Sequence, residues 1–329
     1  MLNKYNKNTL FEFAADVSRG LGDKNKQLSP KYFYDDVGSK LFEKICIQPE
    51  YYPTRIEYDI IKTNLKNITK ELDLPLSLVE LGSGNSKKTF LLLENFAQLQ
   101  KPFAYYFPID VSHKILHESS NLLSTVINNL KIHYIHDDFF NGLKIANDYI
   151  KNKQNLAIPE NKLVIFLGSS IGNFEPEQAK SFLLNIRKNL KTSDYFLIGF
   201  DLQKDQYVIE NAYNDKNGIT AMFNLNILNR INKELGGNFN LDFFEHRAFY
   251  NNKENRIEMH LVSKLDQYVY IKYIDKSFHF RKNETIHTEN SYKYTQKQIE
   301  DISKDAGFTI KQLFFDKNNW FVLSLLKPI

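Results

Sequence analysis

The residues most capable of chemistry stand where an apolar strand leads into two glycines. The segment is Leu78-Val-Glu-Leu-Gly-Ser-Gly-Asn-Ser-Lys-Lys, which places Gly82 and Gly84 directly after the apolar run. Because glycine has no Cβ atom, such a turn lets the backbone approach a ligand closely at the carboxyl end of a strand, where open α/β sheets bind ligands. The third glycine of a dinucleotide-binding fingerprint is absent. The segment therefore predicts a ligand site that needs no pyrophosphate cradle.

Carboxylates follow at the ends of the next two predicted strands. Asp110 closes the second strand, where its oxygens can accept hydrogen bonds from both hydroxyls of a ribose. Asp138 and Phe139 close the third strand, where an acid and an aromatic ring can hold the amine and the ring of adenine. The same acids can also be interpreted as helix caps or solvated strand ends. Together with the glycines, they favour an adenosine-bearing cofactor.

Two classes of enzyme use such a cofactor site. A nicotinamide-dependent dehydrogenase would require the fuller glycine fingerprint and a general acid beside the nicotinamide. S-adenosylmethionine carries no pyrophosphate, so the shorter turn is sufficient for it. The pattern therefore favours an S-adenosylmethionine-dependent methyltransferase.

The elements that must position these residues alternate along the chain. Short apolar runs alternate with amphipathic stretches such as 177–190, which is typical of βαβ units and a parallel sheet. Thr295 and Gln298 form a capping-box pattern for a helix over 296–306, and apolar runs at 308–315 and 320–326 follow. This ending suits the last antiparallel strands of a class I, Rossmann-like, seven-stranded methyltransferase sheet of the α/β class. The parallel strands are predicted at 77–81, 104–109, 132–135, 162–167 and 195–200.

The remaining stretches predict a second lobe of mixed α+β structure. Between the fifth strand and the closing hairpin, we expect a helix at 221–235 and strands at 256–264, 268–273 and 278–281. The cofactor-binding domain is therefore expected to comprise 56–201 plus 294–329. The substrate-binding lobe is expected to comprise 1–55 plus 202–293.

Composition argues against several classes of protein. The 43 basic and 39 acidic residues leave a net charge of +4 that is dispersed along the chain, so no nucleic-acid partner is predicted. The single Cys46 excludes an internal disulfide framework and predicts a reducing compartment, the cytoplasm. No apolar run reaches membrane-spanning length, so no membrane association is predicted. His133 and His136 would point to opposite faces of a strand, and no metal site is predicted.

Several ordered blocks, covering nearly the whole chain from about residue 28, resemble one family. This family is the bacterial histidine Nα-methyltransferases of ergothioneine biosynthesis. The blocks are Pro30-Lys-Tyr-Phe-Tyr34-Asp-Asp-Val-Gly-Ser-Lys-Leu-Phe-Glu, Pro49-Glu-Tyr51-Tyr-Pro-Thr-Arg-Ile-Glu, Leu167-Gly-Ser-Ser-Ile-Gly172-Asn173-Phe-Glu-Pro-Glu, Ala212-Tyr213-Asn-Asp, Phe223-Asn-Leu-Asn, Phe244-Glu-His-Arg-Ala-Phe-Tyr-Asn, Arg256-Ile-Glu-Met259-His-Leu and Ile286-His-Thr-Glu289-Asn-Ser291-Tyr-Lys-Tyr.

The resemblance implies a function and a set of site residues. The function would be S-adenosylmethionine-dependent trimethylation of free L-histidine to hercynine, under a second lobe that closes over the amino acid. Tyr34 is also the candidate for a catalytic role in deprotonating the substrate amine. The residues implied for the cofactor are Tyr34, Gly82, Lys88, Asp110, Asp138 and Phe139. The residues implied for the amino acid are Tyr51, Gly168, Asn173, Tyr213, Met259, Glu289 and Ser291.

Within this resemblance, the chemistry of the side chains suggests individual roles. Asn173 and Tyr213 can donate to the substrate carboxylate, while Glu289 and Ser291 can bind the imidazole nitrogens and discriminate against other rings. Tyr34 and Tyr51 supply hydroxyls and aromatic faces near the place where the methylated ammonium would form, and an aromatic face can favour such a cation by about 0.5 to 2 kcal/mol.

Other functions are compatible with parts of the pattern. An enzyme of the same family could act on a tryptophan-like or tyrosine-like amino acid, and an apolar residue in place of Glu289 would have favoured that function. A catalytically silent cofactor-binding module and a nucleic-acid methyltransferase are further alternatives. We expect a monomer.

Overall fold

The fold is described from a computed structural model that covers residues 4–152 and 157–329, with side chains from residue 10 onward. Residues 1–3 and 153–156, which belong to the predicted domains 1–55 and 56–201, lie outside the described residues. The α-helices within the described ranges are α1 (Lys4–Gly22), α2 (Asp36–Ile45), α3 (Tyr52–Lys70), α4 (Phe90–Leu99), α5 (His113–Val126), α6 (Phe139–Asn152), α7 (Pro176–Lys188), α8 (Gln206–Tyr213), α9 (Ile219–Leu235) and α10 (Gln296–Asp305).

The strands are named in chain order in the same way. They are β1 (Ser77–Leu81), β2 (Ala104–Asp110), β3 (Leu130–Ile132), β4 (Ile135–His136), β5 (Lys162–Phe166), β6 (Tyr195–Asp201), β7 (Phe244–Asn251), β8 (Arg256–Ser263), β9 (Gln267–Ile271), β10 (Lys276–Phe280), β11 (Thr285–Tyr292), β12 (Phe308–Phe315) and β13 (Phe321–Pro328).

The chain divides into two compact units. The first unit comprises Met1–Tyr52 and Lys204–Ser291, and the second comprises Pro53–Gln203 and Tyr292–Ile329. Among the described residues, no helix combines the length and the apolar character that a membrane crossing requires.

The second unit is built on the predicted α/β sheet. The strand order is β12-β13-β6-β5-β1-β2-β3, and β4 also pairs with β2. The pairs from β6 through to β3 and β4 are parallel, whereas β13 is antiparallel to both β6 and β12. This arrangement confirms the class I methyltransferase fold that the sequence predicts.

One predicted strand is wrong in its bounds. The expected strand 132–135 is two short strands, β3 and β4, which both pair with β2 and leave His133 and Tyr134 between them. At this break the ring of His133 stacks on Tyr149 of α6, 3.9 Å between centroids. The sheet therefore has eight strands instead of the predicted seven, because β3 and β4 together take the place of one predicted strand.

Helices cover both faces of this sheet because its strands are apolar on both sides. Val79 and its neighbours pack against α6, α7 and α10, whereas Leu78 and its neighbours pack against α3, α4 and α5. The capping box of Thr295 and Gln298 at the start of α10 is confirmed. All the parallel strands consequently end at one edge, where the predicted cofactor residues lie.

The first unit has a smaller sheet with the order β11-β8-β7, a separate hairpin of β9 and β10, and the helices α1, α2, α8 and α9. The strands β7 and β11 are absent from the sequence prediction. β11 reads Thr-Ile-His-Thr-Glu-Asn-Ser-Tyr, and Glu289, Asn290 and Ser291 are buried within it. Because these buried residues are polar, an apolar pattern could not identify the strand.

Candidate functional site

The glycine turn of the second unit follows β1 as the sequence predicts. Gly82 has φ +69° and donates its N–H to the carbonyl of Ile109 at 2.8 Å. A Cβ atom added to Gly82 would lie 3.4 Å from the ring of Phe139, while nothing lies within 4 Å of the corresponding position on Gly84. The hydroxyl of Ser83 is buried and has no hydrogen-bond partner in the part of the chain that the structure describes. The turn therefore presents open backbone and a polar group that a ligand can satisfy.

Asp110 lies against this turn. Its Oδ2 accepts from the N–H of Gly84 at 2.9 Å, and its Oδ1 accepts from the N–H of Ser112 at 2.9 Å. Burial raises the pKa of Asp110, and the backbone donors at Ser112 and Gly84 oppose that rise. A carboxylate has about four lone-pair positions, so it can bind these two amides and still accept from ribose hydroxyls.

Asp138 caps the helix that begins with Phe139. Its Oδ1 accepts from the N–H of Phe140 at 2.9 Å and of Asn141 at 3.0 Å, and its Oδ2 accepts from Asn141 Nδ2 at 2.8 Å. Asp138 is therefore a helix cap, one of the two interpretations that the sequence allowed. Its contact with adenine stays a prediction. The Phe139 ring packs edge-on against Phe166, 5.3 Å between centroids, and lies beside Gly82. These observations fit an adenosine-bearing cofactor at this edge.

Lys88 is held by Glu57, which is not among the site residues predicted from the sequence. Its ammonium pairs with the buried carboxylate of Glu57 on α3 at 2.5 Å. Both oxygens of Glu57 also accept from the N–H of Gly168, at 2.8 and 2.9 Å. Two predicted site residues, Lys88 and Gly168, are thus joined through one acid.

Glu80 lies on β1, directly before the turn. Its buried carboxyl accepts from the hydroxyls of Thr89 and Tyr106, and the Tyr106 oxygen lies 3.0 Å from Ser86 Oγ. Burial raises the pKa of Glu80 to about 7, although these two hydroxyl donors and the charge of Lys88 act in the opposite direction. Glu80 therefore titrates near neutral pH beneath the turn.

Asn173 ends a 3-10 turn, Ser170–Asn173, in the segment after β5. Gly168 has φ +82° and Ser169 has φ +55°, both in the left-handed region. A Cβ atom on Gly172 would lie 2.9 Å from the carbonyl oxygen of Tyr292. This close packing fixes the turn and, with it, the position of Asn173.

In the first unit, aromatic rings connect three of the predicted site residues. Tyr34 lies 5.6 Å from Phe42 and 5.7 Å from Phe223, centroid to centroid. Phe42 lies 6.3 Å from Tyr51, and Tyr51 lies 6.2 Å from Tyr213. The structure thus brings Tyr34, Tyr51 and Tyr213 into one aromatic group.

Burial determines the protonation state of the Tyr51 hydroxyl in this group. Burial raises the pKa of Tyr51 well above its ordinary value, and the neighbouring Tyr213, Cys46, Tyr34 and Glu289 raise it further. Tyr51 therefore remains a protonated donor at neutral pH and does not serve as a base.

Met259, Glu289 and Ser291 lie on the strands β8 and β11 and are all buried. Tyr213 donates its hydroxyl to Ser291 Oγ at 2.7 Å, so the aromatic group extends to the β11 residues. The hydroxyl of Thr288 shares its one proton between the carbonyl oxygen of Met259 at 3.0 Å and Asn224 Oδ1 at 2.8 Å. The bond to Met259 joins β8 and β11 next to Glu289.

Two further residues, neither of them predicted as site residues from the sequence, hold Tyr213. His246 Nε2 lies 2.9 Å from the carbonyl oxygen of Tyr213, and His246 Nδ1 lies 2.9 Å from Asn224 Nδ2. Asn224 Nδ2 also donates to the carbonyl oxygen of His260 at 3.0 Å, so the NH2 group of Asn224 donates to His246 Nδ1. His246 is consequently neutral with its proton on Nε2, and burial lowers its pKa. Both residues stand in the family-like blocks, but nothing in their spacing indicates this hydrogen bonding.

Among the described residues, Glu258, His260 and His287 have potential metal-ligand atoms within 4.8 Å of one another. Arg256 pairs with the carboxylate of Glu258 at 2.8 Å, and His260 contacts it at 3.1 Å. His287 Nε2 lies 2.9 Å from Asn290 Oδ1. Because Arg256 already balances the charge of Glu258, we interpret the group as a hydrogen-bonded polar cluster.

Comparison with known proteins places these residues in context. The family model described as histidine-specific methyltransferase, SAM-dependent, matches residues 13–328. A histidine N-alpha-methyltransferase of Mycolicibacterium smegmatis is 37% identical over 312 residues, 94% of this chain and 93% of that protein. A protein of the same name from Mycobacterium tuberculosis is 35% identical over 94% of this chain and 93% of its own. Ergothioneine biosynthesis protein 1 of Schizosaccharomyces pombe is 30% identical, over 87% of this chain and 37% of its own.

Proposed function

This chain belongs to the SAM-dependent, histidine-specific methyltransferases, and from that membership we propose that it trimethylates the α-amino nitrogen of L-histidine. The methyl donor is S-adenosylmethionine, and the product is the betaine hercynine, as in the first step of ergothioneine biosynthesis. The relatives named histidine N-alpha-methyltransferase, which match over most of the chain, support this acceptor.

The observation that carries the acceptor proposal is the polar strand β11. Glu289 and Ser291 are buried on it, and Tyr213 donates a hydrogen bond to Ser291 Oγ at 2.7 Å. A buried carboxylate and an oriented hydroxyl can bind the two nitrogens of an imidazole. An indole has only one ring nitrogen and can therefore engage only one of these two side chains, and one hydrogen bond fewer costs about 0.5–1.5 kcal/mol.

The remaining predicted site residues take complementary roles in this proposal. Asn173 donates to the substrate carboxylate, and so does Tyr213 once its hydroxyl proton turns from Ser291 Oγ to the bound ligand. Gly168 contributes backbone, and Met259 packs against the substrate. We propose that Tyr51, which stays protonated, and Tyr34 present their rings to the amine, because aromatic rings favour the developing ammonium. Five residues of the second unit and Tyr34 are proposed for the cofactor. The five are Gly82, Lys88, Asp110, Asp138 and Phe139.

The cofactor supplies, when bound, a methyl group that its sulfonium has already activated. The protein then needs no covalent nucleophile and acts mainly by holding the neutral amine at near-attack distance. The amine loses a proton to solvent before each transfer, and we propose that Tyr34 assists this step. After the third transfer the nitrogen has no lone pair, so the reaction ends.

The test is a set of parallel incubations with S-adenosylmethionine and single amino acids, followed by mass spectrometry. We expect gains of one, two and three methyl groups on histidine and none on tryptophan or tyrosine. Methylation of tryptophan or tyrosine without methylation of histidine would refute the histidine proposal. That outcome would support an acceptor like that of the 4-dimethylallyltryptophan N-methyltransferase of Claviceps purpurea, which is 25% identical to this chain.

We also propose that the enzyme is a cytoplasmic monomer. The single Cys46 supports a reducing compartment because no disulfide can form within the chain. Light scattering of the purified protein would give the mass of one chain, and a mass of two chains would contradict the proposal.

A further inference from the structure

Glu57 connects two residues that we propose for ligand binding, yet the proposed function gives it no role. Its carboxylate accepts from Lys88 Nζ at 2.5 Å and from the N–H of Gly168 at 2.8 and 2.9 Å. We propose that Glu57 is a positioning residue for cofactor binding, which it promotes by fixing the Lys88 ammonium, while the N–H of Gly168 anchors the acid. This inference rests on the cofactor half of the proposed function and requires no assumption about the acceptor.

The backbone around Glu57 is shaped to admit its carboxylate. A Cβ atom on Gly199 of β6 would lie 2.3 Å from Glu57 Oε1, so any side chain there would displace the acid. A Cβ atom on Gly168 would lie 3.2 Å from Lys88 Nζ. Both positions therefore favour glycine, and Gly168 also has φ +82°, which L side chains rarely adopt. Glu57, on α3, thus contacts the segment before α4 and the segment after β5, and it lies close to β6.

Burial of an acid at this place is costly unless it is paired and hydrogen-bonded. The Glu57 side chain is fully buried, whereas the Lys88 side chain remains 25% exposed. The acid therefore holds the lysine from the interior, on the side away from solvent. A lysine has a flexible four-carbon stem and three N–H donors. Fixing one of these donors orients the ammonium and reduces the entropy that a ligand must remove when it binds.

The second unit contains a matched pair at the other end of β5. Asp194 is fully buried and pairs with Lys162 Nζ at 2.7 Å, and it also accepts from the N–H of Lys162 at 2.9 Å. Lys162 begins β5, whereas Gly168 follows the end of that strand. The two acids thus have similar burial and partners, but only Glu57 lies at the edge where ligands are expected. Asp194→Asn is therefore a control for general loss of stability.

The experiment measures binding of S-adenosylhomocysteine by calorimetry in a double-mutant cycle. The variants are Glu57→Gln, Lys88→Met and the double variant, with Asp194→Asn as the control. Gln keeps the shape of the side chain and removes its charge. We expect Glu57→Gln alone to weaken binding about tenfold, as for loss of a charge-assisted hydrogen bond. In the Lys88→Met background the same change should cost less than about twofold, because its main partner is already absent.

The outcomes separate the inference from the proposed function. Wild-type protein that does not bind S-adenosylhomocysteine would contradict the cofactor assignment itself. Wild-type binding together with unchanged or tighter binding by Glu57→Gln would overturn the role of Glu57. An equal loss in both backgrounds, or an equal loss in Asp194→Asn, would show that the effect is general destabilisation. If Glu57→Gln does not fold, Glu57→Asp takes its place, because it keeps the charge but withdraws the carboxylate by one methylene.

Discussion

Replacing Glu80 by Gln should make the stability of the protein less sensitive to alkaline pH. Burial raises the pKa of Glu80 from an ordinary 4.5 to about 7 in the folded protein. The folded state therefore holds its proton more tightly than the unfolded chain does. For a pKa raised on folding, stability is fully present below pH 4.5 and is lost as the pH rises towards the folded value.

The magnitude follows from this difference in pKa. Each pH unit of difference corresponds to about 1.4 kcal/mol, so ionisation of Glu80 removes about 3 kcal/mol in total above pH 7. Between pH 5.5 and pH 8.5 the part lost is about 2 kcal/mol. The side chain of Gln resembles the protonated acid, because its NH2 can donate to Tyr106 while its carbonyl accepts from Thr89. The Tyr106 hydroxyl can then donate to Ser86, which lies 3.0 Å away.

The assay is urea unfolding of wild-type protein and Glu80→Gln at pH 5.5, 7 and 8.5. We expect the stability of the variant relative to wild type to rise by about 2 kcal/mol across this range. Thr89→Val serves as a comparison, since it removes a donor that lowers the pKa of Glu80 and should move the pH dependence of stability to higher pH. A stability difference that is constant with pH, or that falls as the pH rises, would refute the reasoning.

Three further predictions concern the two ligands and the support of Tyr213. Glu289→Ala should weaken histidine binding by about tenfold or more and leave S-adenosylhomocysteine binding nearly intact by calorimetry; equal losses of both would mean that the acceptor residues are misplaced. Asp110→Ala should weaken S-adenosylhomocysteine binding and leave histidine binding nearly intact in the same titrations. Unchanged S-adenosylhomocysteine binding would contradict the proposed role of Asp110. Burial lowers the pKa of His246, so its contribution to stability is present above about pH 6.5 and is lost as the pH falls. In His246→Gln, urea unfolding should therefore show a decline towards acid pH that is shallower by up to about 1.4 kcal/mol per pH unit, and an unchanged slope would argue against the neutral state that Asn224 imposes.

The parallel sheet could be predicted from the sequence because its strands are apolar on both faces. The predicted strand 77–81 agrees with β1, and 162–167 and 195–200 differ from β5 and β6 by one residue at the end. Each strand is bounded by turns and covered by helices, so hydrophobic patterning alone identifies it. The predicted strand 132–135 was wrong in its bounds. The break between β3 and β4 lies at His133 and Tyr134, and the His133 ring stacks on Tyr149 of α6, a tertiary contact that hydrophobic patterning does not indicate.

The acceptor residues could not be placed by patterning. The buried side chains of β11 include the polar residues Glu289, Asn290 and Ser291, whereas hydrophobic patterning expects apolar residues inside. Only the resemblance of whole blocks pointed to Glu289 and Ser291. Their burial is consistent with a binding role, because a strand that exists only for stability would ordinarily bury apolar residues there.

A sequence signal for the position of Glu57 exists, but it lies in the strand β6. In the sequence Glu57 ends one of the family-like blocks, but nothing in its spacing indicates its partners Lys88 and Gly168, which are 31 and 111 residues away. Gly199, however, stands inside an apolar strand, where a glycine weakens the strand and often marks a close approach by another group. That group is the Glu57 carboxylate, which would lie 2.3 Å from a Cβ atom at Gly199. Gly199→Ala should therefore displace Glu57 and weaken S-adenosylhomocysteine binding as Glu57→Gln does. Calorimetry that shows wild-type affinity in Gly199→Ala would contradict the idea that the position of Glu57 depends on the missing side chain at Gly199.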